Sequence, residues 1–286
     1  MPLTARLATH PDVVSHASDV LDRLSAAGVD VEVVQNAGQG EESVDPLRDV
    51  REGYLDIAVA GLWALRGSGA DGLTMVAALP REDARDALVT VDGPAVPLRQ
   101  LPGGARVGVT RPRQMAFLRL HRSDLEAVEV EPDDAGALTR GGPRQLAAVV
   151  LPWWRAGRLG LAGRTAEVLD ARSWLPAPGQ GVVALLARHP IAEVTALDHL
   201  PTRTALRAEL ALLDALGFGP EVAFGSLAQP SGRLMRLWAA VASVDGERLV
   251  RSDLTGPLDE PELLGASVAR QLMQRGAGIV LEGAVS

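Results

Sequence analysis

The strongest constraint on this chain is a hydrophobic period that keeps changing. Up to about residue 190, strand-like and helix-like runs alternate, the pattern that builds open sheets with crossover helices. Leu3 to Ala8 reads as a strand. Pro11 to Ala27 reads as a helix with Val13, Val14, Ala17, Val20, Leu21 and Leu24 on one face, closed by Gly28 as C-cap. Val29 to Val34 alternates apolar and acidic residues as a half-buried strand does, and Asp45 to Glu52 is a short helix. Leu55 to Ala60 and Leu73 to Leu79 are mostly apolar runs of the buried parallel type, and Ala87 to Val91 is a strand leaving this unit. Pro94, Pro97 and Pro102 mark a linker.

A second alternating unit follows. Its predicted strands are Ala105 to Val109, Ala127 to Val130, Leu146 to Leu151 and, after the turn-rich Pro176 to Gly181, Val182 to Leu186. Its predicted helices are Gln114 to Arg122 and Asp134 to Arg140. The last third changes character. A long helix, Thr202 to Leu216, precedes three strand-like runs (Val222 to Ala228, Leu234 to Val244, Glu247 to Leu254) and a closing helix, Pro261 to Arg275. The expected fold class is α/β: two open α/β lobes plus a small C-terminal α+β domain. Residues 1–91 and 176–198 form lobe 1, 92–175 lobe 2, and 199–286 the last domain.

Composition narrows the chemistry. The 286 residues are 47% apolar and 22% charged, which rules out a mainly disordered chain. There is no cysteine, so disulfides, thiolate metal sites, a cysteine nucleophile and a thioether-linked cofactor are excluded. There is no lysine either, which removes Schiff-base chemistry and P-loop or kinase-type phosphate contacts. A net charge of −8 without any basic block speaks against a nucleic-acid partner. No apolar run approaches the ~20 residues of a membrane span, and Met1 to Asp12 has no signal-peptide pattern, so the expected protein is soluble, cytoplasmic and off the membrane. The histidines (His10, His16, His121, His189, His199) are scattered, so no metal site is expected. The Gly-rich stretches Ala37 to Gly40, Gly103–Gly104, Gly141–Gly142 and Gly179 to Gly181 lack phosphate-loop spacing, and no serine sits in a GxSxG elbow.

One ordered set of segments is far more specific. Arg81 to Val89 reads REDARDALV, Gly160 to Asp170 reads GLAGRTAEVLD, Leu175 to Gly181 reads LPAPGQG, and Asp56 to Val59 reads DIAV. In this order they resemble signatures of the porphobilinogen deaminase (hydroxymethylbilane synthase) family, and Thr202 to Gly225 is similar to its third-domain helix and following cofactor loop. The resemblance implies two periplasmic-binding-protein-like lobes around a cleft, a small α+β domain, a monomer, and a place in tetrapyrrole biosynthesis. It also implies transferase chemistry. Four porphobilinogen molecules condense head to tail on a dipyrromethane cofactor held through a cysteine. An aspartate assists proton transfer, and arginines bind the carboxylates.

The chain departs from that pattern where the chemistry lies. Pro220, in Phe218 to Gly225, stands at the family's cysteine position, and Ala64 stands at that of the catalytic aspartate, with Trp63 at a lysine position. In Gly108 to Met115 one family arginine survives as Arg113, the second is Gln114, and Arg111 occupies a serine position. A further arginine-bearing loop falls on about Val130 to Ala137, where Glu131, Asp133 and Asp134 stand, and the N-terminal motif falls on Leu7 to Val14 without its arginine. Trp153, Trp154 and Arg155 occupy a stretch where the family has small residues. The residues expected to meet a ligand are therefore Trp63, Arg111, Arg113, Trp153, Trp154 and Arg155, with Arg66 nearby. Catalytic residues stay unassigned, and no cofactor is expected. The cluster Arg81, Glu82, Asp83, Arg85 and Asp86 reads as an ion-pair network, Trp174 as hinge packing, and Trp238 as third-domain core.

Three readings follow, and whether the protein is an enzyme stays open between them. The preferred one is a deaminase-like pseudoenzyme that has lost hydroxymethylbilane synthesis and binds a pyrrolic, planar or carboxylated small molecule in the interlobe cleft. The second is an active pyrrole-processing transferase or deaminase without covalent dipyrromethane, using Glu131, Asp133, Asp134 or Glu221 with Arg113. The third is a non-catalytic partner of tetrapyrrole-pathway proteins.

Overall fold

The computed structural model describes residues 3–9, 16–34, 45–66, 70–91, 93–131 and 145–282. The predicted helix Asp134 to Arg140, the start of the helix predicted from Pro11, and Asp133 and Asp134 lie outside them. The chain divides into two compact units, residues 1–82 with 181–206 and residues 83–180 with 207–286.

The first unit is built on a five-stranded sheet of order β2-β1-β3-β10-β4. Its strands are β1 (Leu3–Thr9), β2 (Val29–Val33), β3 (Ile57–Ala60), β4 (Thr74–Ala78) and β10 (Ala184–Ala187). β1 pairs in parallel with β2 and β3, while β10 runs antiparallel between β3 and β4. Helix α1 (Ala17–Ala26) presses Val20 and Leu24 onto Leu7, Ile57, Val59 and Leu185. Helix α2 (Pro46–Glu52) starts where local chemistry dictates. Asp45 accepts the backbone N–H groups of Leu47 and Arg48, Pro46 opens the first turn, and Gly53 ends the helix in the left-handed region at φ 90°.

The second unit repeats the plan in a sheet of order β7-β6-β8-β5-β9. The strands are β5 (Asp86–Thr90), β6 (Arg106–Val109), β7 (Glu126–Glu129), β8 (Ala148–Pro152) and β9 (Thr165–Val168). Helix α3 (Pro112–His121) follows β6, and the short α4 (Trp153–Arg158) follows β8. Strand β5 pairs with β8 and β9, so Ala87 to Val91 belongs to this sheet and not to the first lobe, where the sequence reading placed it. The cause is hydrogen bonding: all five residues of β5 are buried between two antiparallel neighbours. Residues 176–180, also assigned to lobe 1 from sequence, likewise fall in the second unit.

A short helix, α5 (Ala192–Thr195), and the long α6 (Leu200–Leu216) follow β10. Three antiparallel strands, β11 (Phe224–Ser231), β12 (Leu234–Ala242) and β13 (Leu249–Pro257), then form the third sheet, and α7 (Pro261–Gln274) and α8 (Ala277–Glu282) close the described chain. Ala223, Ala240 and Ala242 share one core with Leu88, Val107, Phe117, Val150 and Trp174. The fold class is thus α/β, with two open sheets and a small α+β part.

Candidate functional site

Each five-stranded sheet carries a topological switch point. From β6 the chain goes to β7 on one side and then to β8 on the other, and from β1 it goes to β2 and then to β3. A crevice opens at the carboxyl ends of the strands where such a reversal occurs, and ligands of open α/β sheets bind there. In the second unit these ends carry Thr110, Arg111 and the N-terminus of α3 on one strand, and Trp153, Trp154 and Arg155 on the neighbouring strand. In the first unit the end of β3 carries Gly61 and the 3-10 turn Leu62–Leu65, with Trp63 and Ala64. Residues 10–15, which follow β1, lie outside the described residues. The topology therefore gathers every sequence-predicted binding residue at one of the two switch points.

The side chains divide sharply in what they can do there. Arg113 is turned into the protein and is only 2% exposed. Its guanidinium donates to Asp86 Oδ2 (2.7 Å) and the Leu175 carbonyl (2.6 Å), with a longer contact to Gln180 Oε1 (3.4 Å). The expectation that Arg113 binds ligand is corrected on that ground: its charge is already matched inside the fold. Trp153 is half-buried and packs on the cluster containing Val89, Val149 and Leu151, so it serves the lobe core. Arg158 lies 5.7 Å over the Trp154 ring, and Arg66 lies 5.5 Å over the Trp63 ring. Arg155 is half-buried. Arg111 alone of the predicted arginines is exposed, and its side chain makes no hydrogen bond or ion pair among the described residues. It precedes α3, whose first turn begins at Pro112 and is steadied by Gln114 Oε1 accepting from Thr110 N (2.9 Å) and Thr110 Oγ1 (3.1 Å). A guanidinium beside a helix N-terminus favours a carboxylate.

The loop bearing Pro220 joins α6 to β11. Phe218 anchors it by an edge contact with Phe224 at 5.6 Å, leaving Pro220 and Glu221 exposed. The Glu221 carboxylate folds over Gly219.

Sequence reasoning did not find two fully buried carboxylates as centres of order. Asp86, 0% exposed, accepts from Arg113, from the Trp174 indole (2.9 Å) and from Gln180 Nε2 (2.8 Å). Glu209, also 0% exposed, accepts Gly179 N–H (2.5 Å) and Ala228 N–H (2.7 Å). Both hold the Leu175 to Gln180 segment. The charged run around Asp86 was the available signal, and its reading as an ion-pair network fits Asp86–Arg113 and Asp83–Arg85. Trp238 is only partly buried, with Arg236 5.0 Å over its ring.

Two open sheets with mid-sheet reversals, joined to a small antiparallel α+β part, define a multi-sheet α/β protein. Residues 46–196 match the family model described as "Porphobilinogen deaminase, dipyromethane cofactor binding domain". The porphobilinogen deaminase of Desulforudis audaxviator is 37% identical over 79% of this chain and 74% of its own. That of Pelobacter propionicus is 34% identical over 89% of this chain and 82% of its own, and that of Nocardia farcinica 33% identical over 92% and 83%. The chain belongs to the porphobilinogen deaminase family, whose work lies in tetrapyrrole biosynthesis.

This match corrects the expectation that no cofactor is bound, because the matched model is that of a dipyrromethane cofactor binding domain. The absence of cysteine bears on one bond only. With Pro220 at the loop position and no thiol anywhere in the chain, a cysteine thioether does not fit this site.

Proposed function

We propose that this protein binds a pyrrolic, carboxylate-bearing molecule at the switch point of its second sheet, and that it does not carry out hydroxymethylbilane synthesis primed through a cysteine. The observation that carries this reading is the contrast between two arginines on the same turn. Arg113 is consumed by Asp86 and Leu175, while Arg111 stands exposed beside the α3 N-terminus. Ala64 in the turn after β3 supplies no carboxylate for a developing pyrrole cation. The matched cofactor-domain model favours a second reading: a transferase that holds its pyrrole chain without a thioether, with Glu221 as the carboxylate nearest the position of the missing cysteine.

The test is incubation with porphobilinogen, with binding followed by calorimetry, the protein by intact mass, and the solution for ammonia and bilane. The proposal expects saturable binding, no mass gain and no product. Arg111→Ala should weaken binding roughly tenfold or more, the worth of a charge-assisted hydrogen bond. Bilane formation abolished by Glu221→Gln would establish the second reading. A mass gain, or affinity unchanged in Arg111→Ala, would overturn the first.

A further inference from the structure

A cavity opens in the second unit beside the end of β9. Its volume is about 220 Å³. It is walled by Leu98 and Arg99 from the 3-10 turn Leu98–Gln100, by His121 at the end of α3, by Glu167 on β9, and by Asp170 and Trp174 in the turn that follows. Nothing in the family assignment accounts for it.

Its walls are fixed in place. The Trp174 indole is 2% exposed, its N–H is held by Asp86, and its ring stacks on His121 at 5.7 Å with a 17° interplanar angle. His121 Nε2 lies 3.1 Å from the Ser173 carbonyl, an acceptor only, so this nitrogen carries the hydrogen. Arg122, which also borders the cavity, is saturated by both Asp124 oxygens and by the Leu98 and Leu101 carbonyls.

What remains open is a set of opposite charges. Arg99 is exposed and has no hydrogen bond or ion pair among the described residues. Glu167 accepts Leu98 N–H (2.9 Å) through Oε2, and Asp170 accepts Arg172 N–H (3.2 Å) through Oδ1, which leaves the second oxygen of each without a hydrogen bond among the described residues. One open cation therefore shares the space with two carboxylates. A simple anion would meet excess negative charge there, and a simple cation would meet Arg99. The volume lies below the ~300 Å³ at which pockets for drug-sized ligands begin, so the occupant is small.

We propose that this cavity binds a small zwitterion, an α-amino acid with an apolar side chain. Its carboxylate pairs with Arg99 and its ammonium with Glu167 and Asp170. Its side chain lies on Leu98 and the stacked His121–Trp174 pair.

The probe is L-leucine, titrated into the full chain and followed through the indole N–H resonances of the five tryptophans. One indole resonance should move saturably, and Arg99→Ala, at an exposed position, should raise Kd roughly tenfold or more. L-leucinamide, lacking the carboxylate, and N-acetyl-L-leucine, lacking the ammonium, should each bind about tenfold more weakly or worse. The proposal fails if no resonance moves up to about 50 mM leucine, well beyond millimolar affinity. It fails equally if Arg99→Ala leaves Kd unchanged, or if succinate binds more tightly than leucine, which would mark a plain anion site.

Discussion

Asp86 and Arg113 form a buried ion pair whose two halves should prove unequally costly to remove. Asp86→Ala takes the acceptor from three donors at once: the Arg113 guanidinium, the Trp174 indole and the Gln180 amide. It leaves a buried guanidinium with the Leu175 carbonyl as its one good acceptor, besides an Nε that is already unpaired among the described residues. Uncompensated buried charge of this kind costs about 3–5 kcal/mol, and the orphaned Trp174 indole N–H places Asp86→Ala at the upper end, while Gln180 keeps the Ala84 carbonyl. Arg113→Met leaves Asp86 with the Trp174 and Gln180 donors still in place, so about 2–3 kcal/mol is expected. The double variant should cost less than the sum of the singles by about 2 kcal/mol, because the first substitution already removes what the second would. The assay is urea unfolding. A chain of several sheets need not unfold in one step, so free energies are compared for the transition shared by far-ultraviolet circular dichroism and tryptophan emission. Arg113→Met costing more than Asp86→Ala, or a strictly additive double variant, would refute the network as described.

Two further outcomes are expected. In α7, a Cβ on Gly265 would lie 2.4 Å from the Ala208 carbonyl of α6 and 2.8 Å from Leu212 N, so Gly265→Ala should destabilise by about 1–3 kcal/mol in the same urea assay, whereas an unchanged midpoint would mean the two helices separate freely. The side-chain hydrogen bond from Arg85, outweighing partial burial, holds Asp83 below its ordinary value; that contribution is complete above the usual Asp range near ~3.9 and is lost as pH falls through the lowered value, so Asp83→Asn should flatten the acid limb of stability below about pH 4, by little because the pair is partly exposed.

Much of the fold was legible because its signals are local. The apolar runs of β3 and β4, the Asp45–Pro46 start of α2 and the long apolar face of α6 each announce themselves within a few residues. β9 was missed because it is a four-residue edge strand of half-buried residues, with no alternation for a period to reveal. α4 was missed because six residues are too few to show a helical repeat. The assignment of Ala87 to Val91 failed for another reason. Which sheet a buried strand joins is decided by partners far along the chain, here Ala148–Pro152 and Thr165–Val168, and nothing in its own residues records them. At the candidate site, residue types were legible and orientations were not. Arg111 and Arg113 lie two residues apart on one turn, yet one faces solvent and the other Asp86.

The segments that carry the family resemblance do a particular job in this structure. Asp86 closes the REDARD run, Gln180 and Gly181 end LPAPGQG, and Gln180 ties the two runs together through Asp86 and the Ala84 carbonyl. Gly181 needs its φ of 78°, and a Cβ there would lie 2.8 Å from the Glu82 carbonyl. Gly225, two residues beyond Ala223 of the shared core, has no room for a side chain against Leu175 and Pro176. These residues must be what they are for the chain to close on itself, whatever it binds. The positions singled out from the sequence for chemistry, Ala64, Arg111 and Pro220, stand in turns at strand ends or between elements, where the fold sets few demands. Likeness in the first set therefore argues for shared architecture. Only the second set speaks to the reaction, and there the chain offers an exposed guanidinium at Arg111 and, throughout its length, no thiol.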